Sequence, residues 1–281
     1  TSNSAYDTDP MWSPDGKSII FSSFRNKSKD IYRVAAEGGV PHRLTTHTGN
    51  ETPMAVLDDG SILFTANIQQ DALYGGFPEN AQLYWVSADG GKCEMVTSLP
   101  VSGLSINANG DILYEDYKGY EDPLRKHHTS SVTRDIWLYK PSSEDSVSIN
   151  PKGTFTKLST FNGEDRNPVF AADGRKFYYI SEQDGTLNIF KSSIDTPSES
   201  KQITFHKGNP VRYLSISDKG TLCYSYDGEL YTIKNDGEPS KVQISLLADQ
   251  QEMPVYERTF SSGVSDMAVS PDGKEIAIIL R

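Results

Sequence analysis

The sequence predicts an all-β protein, specifically a β-propeller of four-stranded antiparallel blades, and three observations predict it. A turn signature recurs along the chain. The first five copies are each followed by a strand with the same polar, aliphatic, aromatic order, and then by a short segment ending in an aliphatic residue and a hydroxyl. The 3.6-residue periodicity of an amphipathic helix is found nowhere, so the repeat reads as strands alone.

The clearest turn is Pro10-Met11-Trp12-Ser13-Pro14-Asp15-Gly16-Lys17, which returns as Val269-Ser270-Pro271-Asp272-Gly273-Lys274. Weaker copies lie at Asp58-Asp59-Gly60-Ser61, Asn107-Ala108-Asn109-Gly110-Asp111, Ala172-Asp173-Gly174-Arg175 and Asp218-Lys219-Gly220-Thr221. The turn glycines 16, 60, 110, 174, 220 and 273 are separated by 44, 50, 64, 46 and 53 residues, a period near 45 with insertions. In Ser-Pro-Asp-Gly the proline presets φ for a type I turn, and the glycine takes the left-handed conformation that lets two strands leave antiparallel. Each copy is thus a hairpin of first and second strands.

The third strands are Asp30-Ile31-Tyr32-Arg33-Val34, Gln82-Leu83-Tyr84-Trp85-Val86, Asp135-Ile136-Trp137-Leu138-Tyr139, Asn188-Ile189-Phe190-Lys191 and Glu229-Leu230-Tyr231-Thr232-Ile233. The fourth end in Leu44-Thr45, Val96-Thr97, Leu158-Ser159, Ile203-Thr204 and Ile244-Ser245. Four strands per unit at this period describe propeller blades, whereas a β-sandwich needs no repeated third strand. The blades fall at about 7–46, 47–98, 99–160, 161–205 and 206–246, with a partial blade at 255–281. A propeller closes by packing first blade on last, so the segment is expected to belong to a six-bladed ring with part of that ring outside it. Trp12, Trp85 and Trp137 are expected to pack between blades, and Cys93 and Cys223, on non-adjacent blades, to be free thiols.

The 27 Lys and Arg against 38 Asp and Glu give a formal charge of −11, which repels phosphate and argues against nucleic acid as a partner. The apolar runs are far shorter than the roughly 18 residues of a membrane helix, so no membrane insertion is expected. No nucleophile elbow, zinc-helix, phosphate-loop or calcium-loop motif is present, so no catalytic residue, cofactor or metal site is expected in the segment. Adjacent His127 and His128 would point to opposite sides of an extended stretch, which disfavours a shared metal.

Strand direction locates a site. In an antiparallel blade, the link between strands two and three and the link to the next blade share one face, and the Ser-Pro-Asp-Gly turns lie on the other. The insertions at 66–81 and 115–134 crowd the first face, together with connectors carrying Asp7, Asp9, Asn50, Glu51, Asp165, Arg166, Asn167, Asn209 and Arg212. Asp7, Asp9, Glu51, Asp165, Arg166 and Arg212 are therefore the expected channel mouth. Asp7 and Asp9 alternate onto one strand face, although an Asp before a strand proline is more often a turn cap. The insertion Glu115-Asp116-Tyr117-Lys118-Gly119-Tyr120-Glu121-Asp122-Pro123-Leu124-Arg125-Lys126-His127-His128 combines cations for carboxylates, acids for amines and tyrosines for packing. It reads as a contact loop for a peptide or a neighbouring domain, or as a solvated loop. In the first reading Arg125, Lys126, Arg134, Tyr117 and Tyr120 make the contact. The Ser-rich insertion at 141–154 falls on the opposite face and is expected to be a flexible loop.

The repeats around Asp9-Pro10-Met11-Trp12-Ser13-Pro14-Asp15-Gly16-Lys17, Asp30-Ile31-Tyr32, Glu37-Gly38-Gly39 and Arg43-Leu44-Thr45 resemble those shared by TolB, dipeptidyl-peptidase-like enzymes and tricorn-type proteases. The segments Ala5-Tyr6-Asp7-Thr8 and Arg125 to Trp137 resemble the first propeller of bacterial tricorn homologues in particular. In that family a six-bladed and a second propeller precede a PDZ domain and a serine peptidase domain that trims peptides. The resemblance implies a non-catalytic region of a serine-type peptidase, scaffolding and gating peptide passage to or from the proteolytic chamber. Its partners would be peptides and neighbouring domains of the same polypeptide, with a homo-oligomer allowed. Periplasmic or other export is implied, with a cytoplasmic location as the alternative. The alternative function is a stand-alone TolB-like propeller for protein–protein interaction in the cell envelope.

Overall fold

A computed structural model describes residues 3–47, 49–68, 81–97, 99–119, 127, 129–142, 153–245 and 262–280. Among them there is no helix. Blade 1 comprises β1 (Asp7–Trp12), β2 (Ser18–Ser23), β3 (Asp30–Ala35) and β4 (His42–Arg43). Blade 2 comprises β5 (Glu51–Val56), β6 (Ile62–Ala66), β7 (Gln82–Val86) and β8 (Glu94–Thr97). Blade 3 comprises β9 (Val101–Ile106), β10 (Ile112–Asp116), β11 (Ile136–Pro141) and β12 (Gly153–Lys157). Blade 4 comprises β13 (Asp165–Phe170), β14 (Lys176–Ser181), β15 (Asn188–Ser193) and β16 (Lys201–Gln202). Blade 5 comprises β17 (Arg212–Ile216), β18 (Leu222–Tyr226), β19 (Glu229–Ile233) and β20 (Ser240–Lys241). In every blade the strands pair antiparallel in chain order, and the first strands β1, β5, β9, β13 and β17 lie each beside the next. The five blades form a propeller whose first strands make the inner ring. These blades belong to one compact unit, Thr1–Val242; a second unit, Gln243–Arg281, contains the hairpin β21 (Val264–Val269) and β22 (Ile276–Leu280).

The turn signature folds for the reason its residues suggest. The Ser13 hydroxyl donates to Asp15 Oδ1 at 2.6 Å and accepts from the Ser18 amide at 2.9 Å, while Gly16 sits at φ +68°. Ser270, Asp272 and Gly273 repeat the arrangement in the second unit, with the serine hydroxyl to Asp272 Oδ1 at 2.6 Å and φ +71° at the glycine.

The pairing of third and fourth strands also has a physical cause. In blades 1, 3 and 4 the hydroxyl that closes the fourth segment reaches back to the amide of the aliphatic residue in the third strand: Thr45 to Ile31 at 2.9 Å, Ser159 to Ile136 at 3.0 Å and Thr204 to Ile189 at 2.8 Å. All three amides are buried, so the hydroxyl satisfies a donor that would otherwise cost about 1–3 kcal/mol. In blades 3 and 4 its proton goes to the polar residue that precedes the aliphatic one, Asp135 from Ser159 and Asn188 from Thr204, at 3.0 and 2.9 Å.

Between blades the core is apolar. Ile20, Ile31, Leu44, Ile62, Phe64 and Val86 join blades 1 and 2; Leu63, Leu83, Val101 and Tyr114 join blades 2 and 3. Leu113, Ile136, Phe170 and Phe177 join blades 3 and 4, and Ile180, Ile189, Val211, Leu222 and Tyr224 join blades 4 and 5. Gly90 makes one close approach possible. It holds φ +79°, and a Cβ there would stand 2.5 Å from the Leu44 carbonyl oxygen in blade 1.

Trp85 and Trp137 pack into the core between blades 2 and 3, as expected, but Trp12 is 61 % exposed. Alternation fixed the face Trp12 points to, and no described neighbour covers that face. Cys93 immediately precedes β8, Cys223 lies in β18, and both are free thiols. Of the predicted insertions, 69–80, 120–126, 128 and 143–152 lie outside the described residues.

Candidate functional site at the inter-blade face

The face opposite the Ser-Pro-Asp-Gly turns is shaped by a bulge repeated in the inner strands. Register shifts interrupt β1 between Thr8 and Met11, β13 between Arg166 and Val169, and β17 between Arg212 and Ser215. Just after the last pair before each shift, Asp9, Asn167 and Tyr213 take φ values of +53°, +47° and +56°. Asp and Asn adopt this conformation readily; a tyrosine rarely does.

The bulge separates the two aspartates that simple alternation places on one face. Asp7 takes Arg25 Nη2 at 3.1 Å, whereas Asp9 takes Lys29 Nζ at 2.8 Å. Lys29 also donates to Thr52 Oγ1 at 2.8 Å, which ties blade 1 to blade 2. Asp7 and Asp9 thus stand in separate ion pairs.

Glu51 and Asp165 begin β5 and β13 and are 0 % and 1 % exposed. Burial pushes the Glu51 carboxyl up to about 7, with nearby Asp30 adding to the rise and the Thr45 hydroxyl and Arg43 opposing it. The Thr45 hydroxyl donates to Glu51 Oε2, and Oε1 has no hydrogen-bond partner. Asp165 is likewise raised to about 7 by burial. The Ser181 hydroxyl opposite offsets part of the effect, and neither carboxyl oxygen has a hydrogen bond of good geometry.

Three of the expected residues converge. Arg134, Arg166 and Arg212 line a recess of about 160 Å³ together with Glu115, Asn167 and Tyr213, and its floor is Ile180, Leu187 and Val211. Arg166 Nε donates to Glu164 Oε1 at 2.5 Å. Arg134 stands 3.7 Å from Glu164 and 3.8 Å from Glu115. Glu115 is buried, accepting from the Ser102 hydroxyl at 2.7 Å and the Asn167 amide at 2.6 Å. The small Gly103 makes room for it, since a Cβ there would lie 3.1 Å from the Glu115 carboxyl carbon.

The base of the 115–134 insertion is held by charge. Lys118 Nζ donates to the Thr133 carbonyl and to Asp135 Oδ2, each at 2.6 Å, and Lys157 Nζ lies 2.9 Å from Asp135 Oδ1. Burial works against the Asp135 carboxylate, but the bonds from Lys118, Lys157 and Ser159 outweigh it and hold its pKa below the usual range. Tyr117 is half-buried beside this network, its amide donating to the Pro100 carbonyl at 3.2 Å, and it does not line the recess. Farther along, the His127 amide donates to Glu182 Oε2 at 2.8 Å, bringing the insertion against blade 4. Arg125, Lys126 and Tyr120 lie outside the described residues.

Glu115, Glu164 and Tyr213 were not singled out from the sequence. The available signal was Tyr213's place seven residues before the turn glycine Gly220, the offset at which Asp9 and Asn167 precede Gly16 and Gly174. Among the described residues no cluster of three or more His, Cys, Asp or Glu could hold a metal ion.

Residues 1–238 match the model of the tricorn protease N-terminal β-propeller domain. The chain belongs to this family. It is 26 % identical over 267 residues to tricorn protease homolog 1 of Streptomyces coelicolor, covering 92 % of this chain and 23 % of that protein. With the tricorn protease of Thermoplasma acidophilum it shares 23 % identity over 286 residues, covering 95 % of this chain and 24 % of that one. The chain thus spans about a quarter of the length of these relatives. Among solved structures, a crystal structure of the tricorn protease superimposes with a TM-score of 0.72 at 21 % identity, covering 89 % of this chain and 23 % of that one. TolB from Acinetobacter baumannii superimposes with a TM-score of 0.56 at 19 % identity, covering 85 % of this chain and 57 % of that one. At these identities the two likenesses establish the fold alone.

Proposed function

We propose that this tricorn-type propeller is the non-catalytic region of a serine peptidase, where it scaffolds and gates the passage of peptides to or from the proteolytic chamber. The observation that carries this reading is the family match over residues 1–238. The inter-blade face agrees with it chemically. Guanidinium groups gathered at the inner strands form a local attractor for the carboxylates of peptides, set against the negative field of an acidic chain.

In this reading Arg125, Lys126 and Arg134 contact peptide carboxylates or a neighbouring domain, with Tyr117 and Tyr120 supplying packing surface. Changing Arg125, Lys126 and Arg134 together to Ala in the full-length protein is expected to lower peptide turnover or to impair assembly. Unaltered turnover together with unaltered assembly overturns that role. The TolB-like fold favours a second reading, a propeller that works by protein–protein contact in the cell envelope. The length of the native polypeptide separates the two: about a thousand residues supports the peptidase, a lone propeller the second reading. Cell fractionation tests the periplasmic or otherwise exported location that both readings accommodate.

A further inference from the structure

We propose that the outer edge of blade 3, strand β12 (Gly153–Lys157), is a contact through which two copies of this chain pair, β12 running antiparallel to the β12 of a second copy with Phe155 at the two-fold axis. The outer strands of the other blades carry the features that keep a sheet edge from pairing. β4 (His42–Arg43), β16 (Lys201–Gln202) and β20 (Ser240–Lys241) are two residues long and each contains a cation, while β8 includes Glu94 and the ladder it forms with β7 breaks register between Leu83 and Tyr84. β12 has five residues, all exposed, and only Lys157 is charged. It ends the sheet order β12-β11-β10-β9, and among the described residues no strand pairs with its outer side.

Register fixes which groups this edge presents. The Leu158 amide donates to the Ile136 carbonyl at 2.8 Å, and the partners from Trp137–Lys157 to Pro141–Gly153 follow one for one. Bonded and non-bonded pairs alternate in an antiparallel ladder, so Thr156 and Thr154 bond inward to β11 while Lys157, Phe155 and Gly153 turn their N–H and C=O groups outward. A second β12 rotated by half a turn about Phe155 meets all of these groups. Phe155 exchanges both bonds with its counterpart, and at either end Gly153 exchanges both with Lys157 of the second copy. The side chains match as well: Thr154 falls opposite Thr156 and phenylalanine opposite phenylalanine, pairs that favour adjacent strands.

Charge and preorganisation favour the same occupant. Each Lys157 falls opposite a glycine, and the two lysines stand about 14 Å apart along the pair, beyond the screening length at physiological salt. Within its own chain Lys157 Nζ lies 2.9 Å from Asp135 Oδ1, so its charge is already met. Phe155 is stacked on Tyr139 with ring centroids 4.6 Å apart, which holds its side chain in place before any contact forms, yet 38 % of its surface remains exposed. A five-residue pairing covers far less than the roughly 1,200 Å² of a stable interface, so the contact is weak by itself and is best read by cross-linking.

The test mixes two variants of the full-length protein, Thr154→Cys and Thr156→Cys, under mild oxidation and identifies disulfide-linked peptides by mass spectrometry. Positions 154 and 156 of opposed strands form a non-hydrogen-bonded pair with Cα atoms about 4.5 Å apart, within disulfide reach. Two copies of one position lie on the diagonal, about 7–8 Å apart and out of reach. The mixed 154–156 link is therefore expected to exceed the two like links together at least about tenfold, whereas random collision gives equal amounts. Adding Phe155→Lys to both variants sets like charges opposite each other and should cut the mixed link at least about tenfold. Phe155→Lys in one variant and Phe155→Glu in the other should restore it, a recovery that a misfolded edge would not show. Absence of the mixed link, mixed and like links in equal amount, or a mixed link indifferent to the charges at position 155 each overturns the contact. Peptide cleavage is not read, so the result is independent of the peptidase reading.

Discussion

Glu51→Gln tests the electrostatics of the junction between blades 1 and 2. The Glu51 side chain is fully buried and its carboxyl titrates near 7 against an ordinary value of 4.5. A folded-state pKa raised above the unfolded value means that the folded state holds the proton more tightly. The contribution to stability is complete below about pH 4.5 and is lost as pH rises through 7. At 1.36 kcal/mol per pH decade the gap corresponds to at most about 3 kcal/mol. Glutamine keeps an oxygen for the Thr45 hydroxyl and removes the charge, so the variant should lose this pH dependence. The assay is hydrogen exchange in peptides covering residues 29–46 and 49–66 of the full-length protein, comparing variant and wild type at the same pH so that intrinsic exchange rates cancel. Protection in the variant should exceed that of the wild type by up to about a hundredfold at pH 8 and converge with it near pH 4.5. A protection ratio that is constant with pH, or a variant less protected at pH 8, refutes the reasoning.

Two further outcomes follow from local bonds. Thr204→Val keeps the side-chain shape but leaves the buried Ile189 amide without its acceptor, so it should lower stability by about 1–3 kcal/mol in urea unfolding, whereas Thr204→Ser should not. Burial, reinforced by the charge of Glu51, pushes the Cys93 thiol up to about 11, so at neutral pH it should react with iodoacetamide about a hundredfold more slowly than a small free thiol; mass spectrometry of timed alkylation checks this.

What the sequence made legible was the part written in adjacent residues. Ser13, Asp15 and Gly16 bond to one another, so their turn is visible without a partner strand. The hydroxyl of Thr45, Ser159 or Thr204 and the polar-aliphatic pair it serves lie within one blade, so their repeat survives insertion elsewhere. The recess was only half legible. Its lining spans Glu115 to Tyr213 and exists because the ring brings β10, β13 and β17 together with the end of an insertion. Nothing local in Glu115 tells it from Glu121. Alternation also failed where the backbone breaks step. The bulge between Thr8 and Met11 sends Asp7 and Asp9 to different cations, and Trp12 shows that a strand's apolar face does not reveal what covers it.

The buried carboxyls at the blade junctions are not a requirement of the architecture. Glu51 and Asp165 occupy the residue that opens the inner strand, and each donates its amide to the residue preceding the polar-aliphatic pair of the blade before, Lys29 and Arg134. Val211 stands at the same place in blade 5, its amide donating to Leu187, and Val101 opens β9 in blade 3; both are buried. A position that valine fills this well needs no charge to pack. An ionised carboxyl there works against the fold at neutral pH, and uncharging it by protonation relieves the penalty at both junctions over the same range. The inner ring is therefore expected to be tighter in mildly acidic solution than above pH 7, with the change concentrated where blade 2 meets blade 1 and blade 4 meets blade 3. The junctions opened by Val101 and Val211 serve as the internal control.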